Sequence, residues 1–284
     1  MNIIEKAISL RDASGRTEPA RHDPAGRRRK TRSPGSAPGT LNKEPAHFGR
    51  LREIGMLPDP ETDQQLIEQL RHLKRPILHN SFGPLAEGVA NVVMVTSARP
   101  GAGKSFVSSG LAFTLTRERE LSVVLVDLDN IKATLTRGLE LRDRTGFFDA
   151  ADDESVPLES TLIDTEIPGL RIVPTGRQTQ DSAELLNSER AKQLIRRLSD
   201  DDPGRIIILD TPPLLSTPDA HAILDLAHQI IIVVEAGVTK QSELKQIVES
   251  LRGNKPVGLV LNKSVGGLSS MYGGDYYAGP YEAS

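Results

Sequence analysis

No cysteine occurs among the 284 residues, and no tyrosine precedes position 272. The first absence removes disulfides, thiol catalysis and thiolate metal sites. The six histidines, at 22, 47, 72, 79, 221 and 228, have no metal-ligand spacing. No apolar run approaches the ~18 to 20 residues that span a bilayer, and mean hydropathy is −0.31. Met1 to Arg11 carries Glu5 and Lys6 inside its apolar pattern, so it reads as no signal peptide. These absences together point to the cytoplasm. The 37% hydrophobic content still supports one full α/β domain plus tails.

Charge is uneven along the chain. Residues 1–50 hold 11 Lys/Arg against 5 Asp/Glu, whereas the whole chain is at −3. Arg27-Arg28-Arg29-Lys30 has the charge to touch anionic lipid or nucleic acid, but the run is short and no aromatic precedes Phe48. A solvated linker is the better reading, with no nucleic-acid partner. Residues 2–10 space apolar side chains along one helix face, which fits a docking helix or a frayed start equally. Residues 12–46 are rich in Arg, Pro, Gly and Ser without periodicity and read as disordered. The expected organisation is a basic linker over 1–47, a P-loop domain over 48–265 and a flexible tail over 266–284.

Within the domain, Asp63 to Leu73 has helical spacing, and Pro76 is expected to end that helix. Strand and helix patterns then alternate. Strands are predicted at Val92–Thr96, Val123–Asp127, Arg171–Pro174, Ile206–Asp210, Ile230–Glu235 and Val257–Asn262. Their continuous apolar runs suit strands buried on both faces. Helices are predicted near 104–118, 182–199, 218–227 and 239–252. The alternation implies an α/β fold of P-loop NTPase type, a mostly parallel sheet with helices on both faces.

The chemistry centres on Ala98-Arg99-Pro100-Gly101-Ala102-Gly103-Lys104-Ser105, between a predicted strand and a predicted helix. Glycine permits a loop whose N–H groups point at an anion, and the helix N-terminus adds partial positive charge. Pro100, Gly101, Ala102, Gly103, Lys104, Ser105 and Phe106 are the candidate nucleotide-binding residues. Lys104 would reach the β- and γ-phosphates of ATP, and the Ser105 hydroxyl would coordinate Mg²⁺. The usual first glycine is Ala98 here. Asp127 and Asp129 end one predicted strand and Asp210 ends another, at the same sheet edge. A lone aspartate in such a place is commonly a helix cap. Three beside a phosphate loop suit metal binding and catalysis. Lys104, Asp127 and Asp129 are the candidate catalytic residues, with Asp127 as the base. Ser105, Asp127 and Asp210 are the candidate metal set.

All four tyrosines, Tyr272, Tyr276, Tyr277 and Tyr281, lie in the last thirteen residues among Gly, Ser, Ala and Pro. Such a tail gives a ring nothing to pack on and leaves the hydroxyl as its asset. A merely adhesive tail is the plain alternative. Phosphate chemistry in the same chain favours phosphoacceptors.

These residues together resemble the bacterial tyrosine kinase family, the P-loop autokinases of capsule and exopolysaccharide assembly. Within it the chain looks most like exosortase-linked tyrosine autokinases. Ser97-Ala-Arg-Pro-Gly-Ala-Gly-Lys-Ser105, Val126-Asp-Leu-Asp129, Leu209-Asp-Thr-Pro-Pro-Leu-Leu215 and the tyrosine tail carry the resemblance. Glu68-Gln-Leu-Arg71-His-Leu-Lys74 adds the family's Glu-x-x-Arg-x-x-Arg interface helix, with Lys74 in place of the last Arg. Ala102 stands where the family often has Glu, and Asn130-Ile-Lys-Ala lacks its usual Arg-Pro, with Lys132 near that Arg position. The resemblance implies an ATP- and Mg²⁺-dependent protein-tyrosine kinase that phosphorylates its own tail in trans. It also implies a homo-oligomeric ring with Glu68, Arg71 and Lys74 at the contact. The further implied partners are a membrane chain-length-determinant protein as activator, which recruits the chain to the inner face of the membrane, and a phosphotyrosine phosphatase.

Two other readings share the phosphate loop. A deviant-Walker partitioning or division-site ATPase needs a Lys five residues before Lys104, where this chain has Arg99. A regulator that binds nucleotide without transferring phosphate would have little use for Lys104, Ser105, Asp127, Asp129 and Asp210 together.

Overall fold

Short apolar runs become strands and amphipathic stretches become helices. The computed structural model describes residues 44–83, 90–251 and 255–264. Residues 1–43 of the expected N-terminal linker, with its helix, and the tyrosine tail lie outside those residues; the linker's last residues, expected to be disordered, include Ala46, which is buried and forms a β-bridge with Thr165. The strands are β1 Val92–Ser97, β2 Ser122–Asp127, β3 Ile163–Asp164, β4 Leu170–Val173, β5 Arg205–Asp210, β6 Gln229–Glu235 and β7 Val257–Asn262. They form a seven-stranded sheet in the order β3-β4-β2-β5-β1-β6-β7. Every neighbouring pair is parallel except β3 with β4. The chain leaves β1, skips over β5 to build β2, and returns, so β1 sits at the point where strand order reverses. In such sheets that point faces the ligand crevice.

Both faces are apolar because both are covered. Val92, Met94, Val124, Val126, Ile207 and Leu209 face one core, which α5 (Phe147–Asp152), α6 (Ser182–Asn187), α7 (Glu189–Asp200) and α8 (Pro218–Leu224) complete. Val93, Val95, Val123, Leu125, Ile206 and Ile208 face the other, under α1 (Arg50–Glu53), α2 (Gln64–Phe82), α3 (Lys104–Leu115) and α4 (Thr134–Gly138). The remaining crossover helix is α9, Gln241–Ser250. Before α1, the Ala46 N–H bonds Asp164 at 2.8 Å, and the Glu166 carboxylate accepts from the Phe48 and Gly49 N–H groups at 2.6 and 2.7 Å.

The structure departs from the sequence reading in several places. The predicted helix over 182–199 is two, because Ser188 leaves helical dihedrals and its hydroxyl accepts from the Ala191 N–H at 3.1 Å as an N-cap. β7 is not buried on both faces: it is an edge strand, and Val257, Leu259 and Leu261 are exposed. The antiparallel β3 is two residues long and leaves no periodicity to read.

Pro76 does not stop its helix either. α2 continues to Phe82 although proline removes one helical donor. Tertiary contacts hold the segment beyond it: Ile77 and Ser81 are buried, and the Gln229 amide donates to the Ile77 carbonyl (3.2 Å) and the Ser81 hydroxyl (2.9 Å) while accepting from Asn80 (3.0 Å). Replacing Gln229 by Leu should cost about 1–3 kcal/mol by leaving these groups unpaired. It should also speed amide exchange in residues 77–82 over 64–75. Uniform exchange across the helix in that variant would show that Gln229 is not what carries it past the proline.

Candidate active site at the carboxyl edge of the sheet

The loop between β1 and α3 turns on two glycines. Gly101 and Gly103 adopt φ of +94° and +93°, which side-chain-bearing residues rarely accept. Gly103 is also crowded: a Cβ there would meet the Asn262 amide nitrogen at 2.1 Å. Ala98 is 1% exposed, and the absent first glycine is accommodated in the core. Ala102 is buried, whereas Pro100 and Gly101 are exposed. Lys104, Ser105 and Phe106 open α3, so their N–H groups are among the unpaired donors of a helix start. The Phe106 ring packs against the core, which leaves its backbone as the part available to an anion.

Adjacent strands bring the carboxylates together. Asp127 at the end of β2 lies in register with Asp210 at the end of β5, and both are fully buried. Burial pushes the Asp127 carboxyl up to about 6, opposed by hydrogen bonds from Thr136. Burial, and next the Asp127 charge, pushes Asp210 up to about 7. Asp127 Oδ2 accepts from the Thr136 N–H (2.9 Å) and hydroxyl (2.8 Å), and Oδ1 from the Asp129 N–H (3.2 Å). Thr136 is itself held by the Thr175 N–H at 2.9 Å. Asp210 Oδ1 accepts from the Ser108 hydroxyl at 3.0 Å. Asp210 Oδ2 is buried and has no hydrogen-bond partner among the described residues.

Lys104 is only 6% exposed. Burial lowers its pKa, and the Asp210 and Asp129 charges oppose that most. Lys132 lies near enough to lower it further. Asp129 accepts from the Lys132 N–H at 3.0 Å, turning the chain above the site. The unpaired oxygen of Asp210, with the Ser105 hydroxyl beside the same carboxylate, fits a divalent cation of the kind that accompanies nucleoside triphosphates. Lys104, Ser105, Asp127, Asp129 and Asp210 therefore come together.

The interface candidates separate. Glu68 and Arg71 form an exposed ion pair at 2.9 Å. The Lys74 side chain is 13% exposed and bonds its own chain, at Glu118 (2.5 Å) and the Thr114 carbonyl (3.3 Å). Tyr272, Tyr276, Tyr277 and Tyr281 lie outside the described residues. Arg99 ion-pairs with Glu243 of its own chain, and Glu243 also accepts the Lys240 N–H at 3.1 Å to cap α9. Thr136, Ser108, Asn262 and Lys263 were not expected at the site. Thr136 and Ser108 carry no motif. Asn262 and Lys263 did carry a signal: they follow a predicted strand to the same edge as the aspartates.

Known proteins resemble this chain in family and fold. Residues 93–272 match the model of the CobQ/CobB/MinD/ParA nucleotide binding domain. A tyrosine-protein kinase, ptk, of Acinetobacter johnsonii is 27% identical over 231 residues, 78% of this chain and 30% of that protein. The chain thus spans under a third of that relative's length. The tyrosine-protein kinase CpsD of Streptococcus agalactiae is 28% identical over 178 residues, 61% of this chain and 74% of CpsD. Among solved structures, the BceF tyrosine kinase domain superposes with a TM-score of 0.62 at 23% identity, covering 75% of this chain and 86% of that domain, a likeness of fold.

The paired carboxylates imply a pH dependence. Their folded pKa values lie above the ordinary carboxylate value, so their stabilising contribution is complete below about pH 4 and is lost as pH rises through 6 to 7. With chelator present and no nucleotide, Asp210→Asn should flatten the loss. It should also stabilise the protein at pH 8 by on the order of 2 kcal/mol. Parallel melting-temperature curves for variant and parent across pH 4–8 would contradict the stacked-carboxylate account.

Proposed function

This chain belongs to the CobQ/CobB/MinD/ParA nucleotide-binding domain family, and from that premise we propose that it is an ATP- and Mg²⁺-dependent protein-tyrosine autokinase. Its proposed acceptors are Tyr272, Tyr276, Tyr277 and Tyr281 of a neighbouring copy. The observation that carries the reading is the buried Asp127 beside Lys104 in a chain whose tyrosines are confined to its last thirteen residues. Similarity to tyrosine-protein kinases supports it.

In this reading the loop N–H groups and the Lys104 ammonium bind the β- and γ-phosphates and draw charge off the phosphoryl group being transferred. Ser105 and Asp210, with Asp127 beside them, would hold the cation, and that ion would supply neutralisation of phosphate charge. Asp127 accepts the phenolic proton as the tyrosine oxygen attacks the γ-phosphorus of ATP, and the bond to the β-phosphate breaks, releasing ADP. A carboxylate raised toward 6 is a better base than a solvated one and still ionised at neutral pH. Thr136 fixes the orientation of that carboxylate. Asp129 shapes the turn over the site.

Arg99 weighs against the partitioning-type switch. It stands where that class needs Lys and is paired with Glu243 of its own chain. The proposed setting is exopolysaccharide assembly, with a membrane chain-length-determinant protein as activator and a phosphatase to reset the tail. Among the described residues no helix is long and apolar enough to cross a membrane. In this proposal the chain-length-determinant partner recruits the chain to the membrane.

With Mg-ATP and the activator's cytoplasmic segment, the parent should incorporate phosphotyrosine in the tail. Lys104→Met should abolish incorporation. Asp127→Asn should keep nucleotide binding and lose transfer by about 10²-fold or more. Undiminished phosphotyrosine in Asp127→Asn would remove the base. Replacing the four tyrosines by Phe should erase the signal at unchanged ATP affinity; strong incorporation at Ser or Thr instead would indicate another kinase class.

The exposed Glu68–Arg71 pair is the proposed ring contact, and Lys74 contributes by fixing α2 to α3. Light scattering should find unphosphorylated Lys104→Met as a large oligomer. Adding Glu68→Ala and Arg71→Ala should reduce it to monomer. An unchanged oligomer would exclude this face. Each phosphotyrosine adds about −1.5 to −2 charge. A fully modified tail is therefore expected to leave the acidic edge and open the ring.

A further inference from the structure

A loop that turns its N–H groups toward a phosphate must turn its carbonyls away, and those need donors of their own. Two successive residues at the end of β7 supply them. The Asn262 amide donates to the Ala102 carbonyl at 2.8 Å, and the Lys263 ammonium donates to the Gly101 carbonyl at 2.7 Å. Glu235, at the end of β6, holds the same ammonium at 3.0 Å. Lys263 adopts φ of +59°, a left-handed conformation unfavourable for a residue with a side chain. Gly103 leaves the space that the Asn262 amide occupies. The contacts join residues about 160 positions apart, and strained backbone persists where surroundings over-determine it.

We propose that Asn262 and Lys263 are positioning residues that preset the phosphate loop for the β-phosphate of a nucleotide, with Glu235 orienting Lys263. They act through the backbone of Gly101 and Ala102. The pair turns the N–H groups of the loop inward before ligand arrives, so that binding does not have to order them. This rests on nucleotide binding alone and stands whether or not the protein transfers phosphate to tyrosine.

Calorimetric titration of the full chain with ADP and with AMP, in Mg²⁺, tests it. Lys263→Gly removes the donor and relieves the positive φ, so the nucleotide-free variant should melt no lower than the parent. Its ADP affinity should nevertheless fall about fivefold. Affinity for AMP, which lacks the β-phosphate, should change less. Asn262→Ala should weaken ADP in the same sense, and Lys263→Arg, which keeps a cationic donor, should recover most of the loss. Unchanged ADP affinity in Lys263→Gly and Asn262→Ala would overturn the proposal. So would equal losses for ADP and AMP, or a loss matched by a lower melting temperature in Lys263→Gly.

Discussion

Two carboxylates side by side in the dry interior are the constraint around which this protein is built. Asp127 and Asp210 occupy matching positions on neighbouring strands, and each raises the cost of ionising the other. A fold selected only for stability would place apolar residues there. Three features contain the cost: hydrogen bonds from Thr136 and Ser108, the buried Lys104 ammonium, and partial neutralisation of the pair. One oxygen of Asp210 has no hydrogen-bond partner among the described residues. A site with one proton or one cation too few is poised to receive charge.

The sheet makes that arrangement possible. Parallel strands end at one edge, so residues far apart in sequence converge there without long loops. β1 carries the phosphate loop at the reversal of strand order, β5 and β2 bring the aspartates on one side, and β6 and β7 bring Glu235, Asn262 and Lys263 on the other. The loop is thus gripped from the β7 side through its carbonyls and faces the carboxylates with Lys104. Arg99 and Glu243 tie the outer end of the loop to α9. Binding chemistry and packing share the same few residues.

Position in the fold also separates buried polar residues from exposed ones. Lys104, Asp127 and Asp210 are buried around the phosphate loop. Glu68 and Arg71 on α2 and the edge of β7 are exposed. Lys74 shows how a motif divides: three residues on one helix face are equivalent by spacing, yet only two face outward, because the Thr114 carbonyl of α3 and the Glu118 carboxylate just beyond it hold the third.

The sequence by itself determined the alternation of strands and helices, the parallel class of the sheet, the phosphate loop, and the three aspartates at strand ends. Each of these is a local signal: apolar runs, glycines at fixed spacing, a charge closing a strand. Tertiary structure alone decided that α2 runs past Pro76, that β7 is an edge, that Thr136 and Ser108 serve the aspartates, and that Asn262 and Lys263 hold the loop. The reason is distance along the chain. A proline's local penalty is outweighed by a glutamine about 150 residues away, and a carbonyl's partner lies about 160 residues on. No window of sequence contains both members of such a pair, so only the folded chain brings them together.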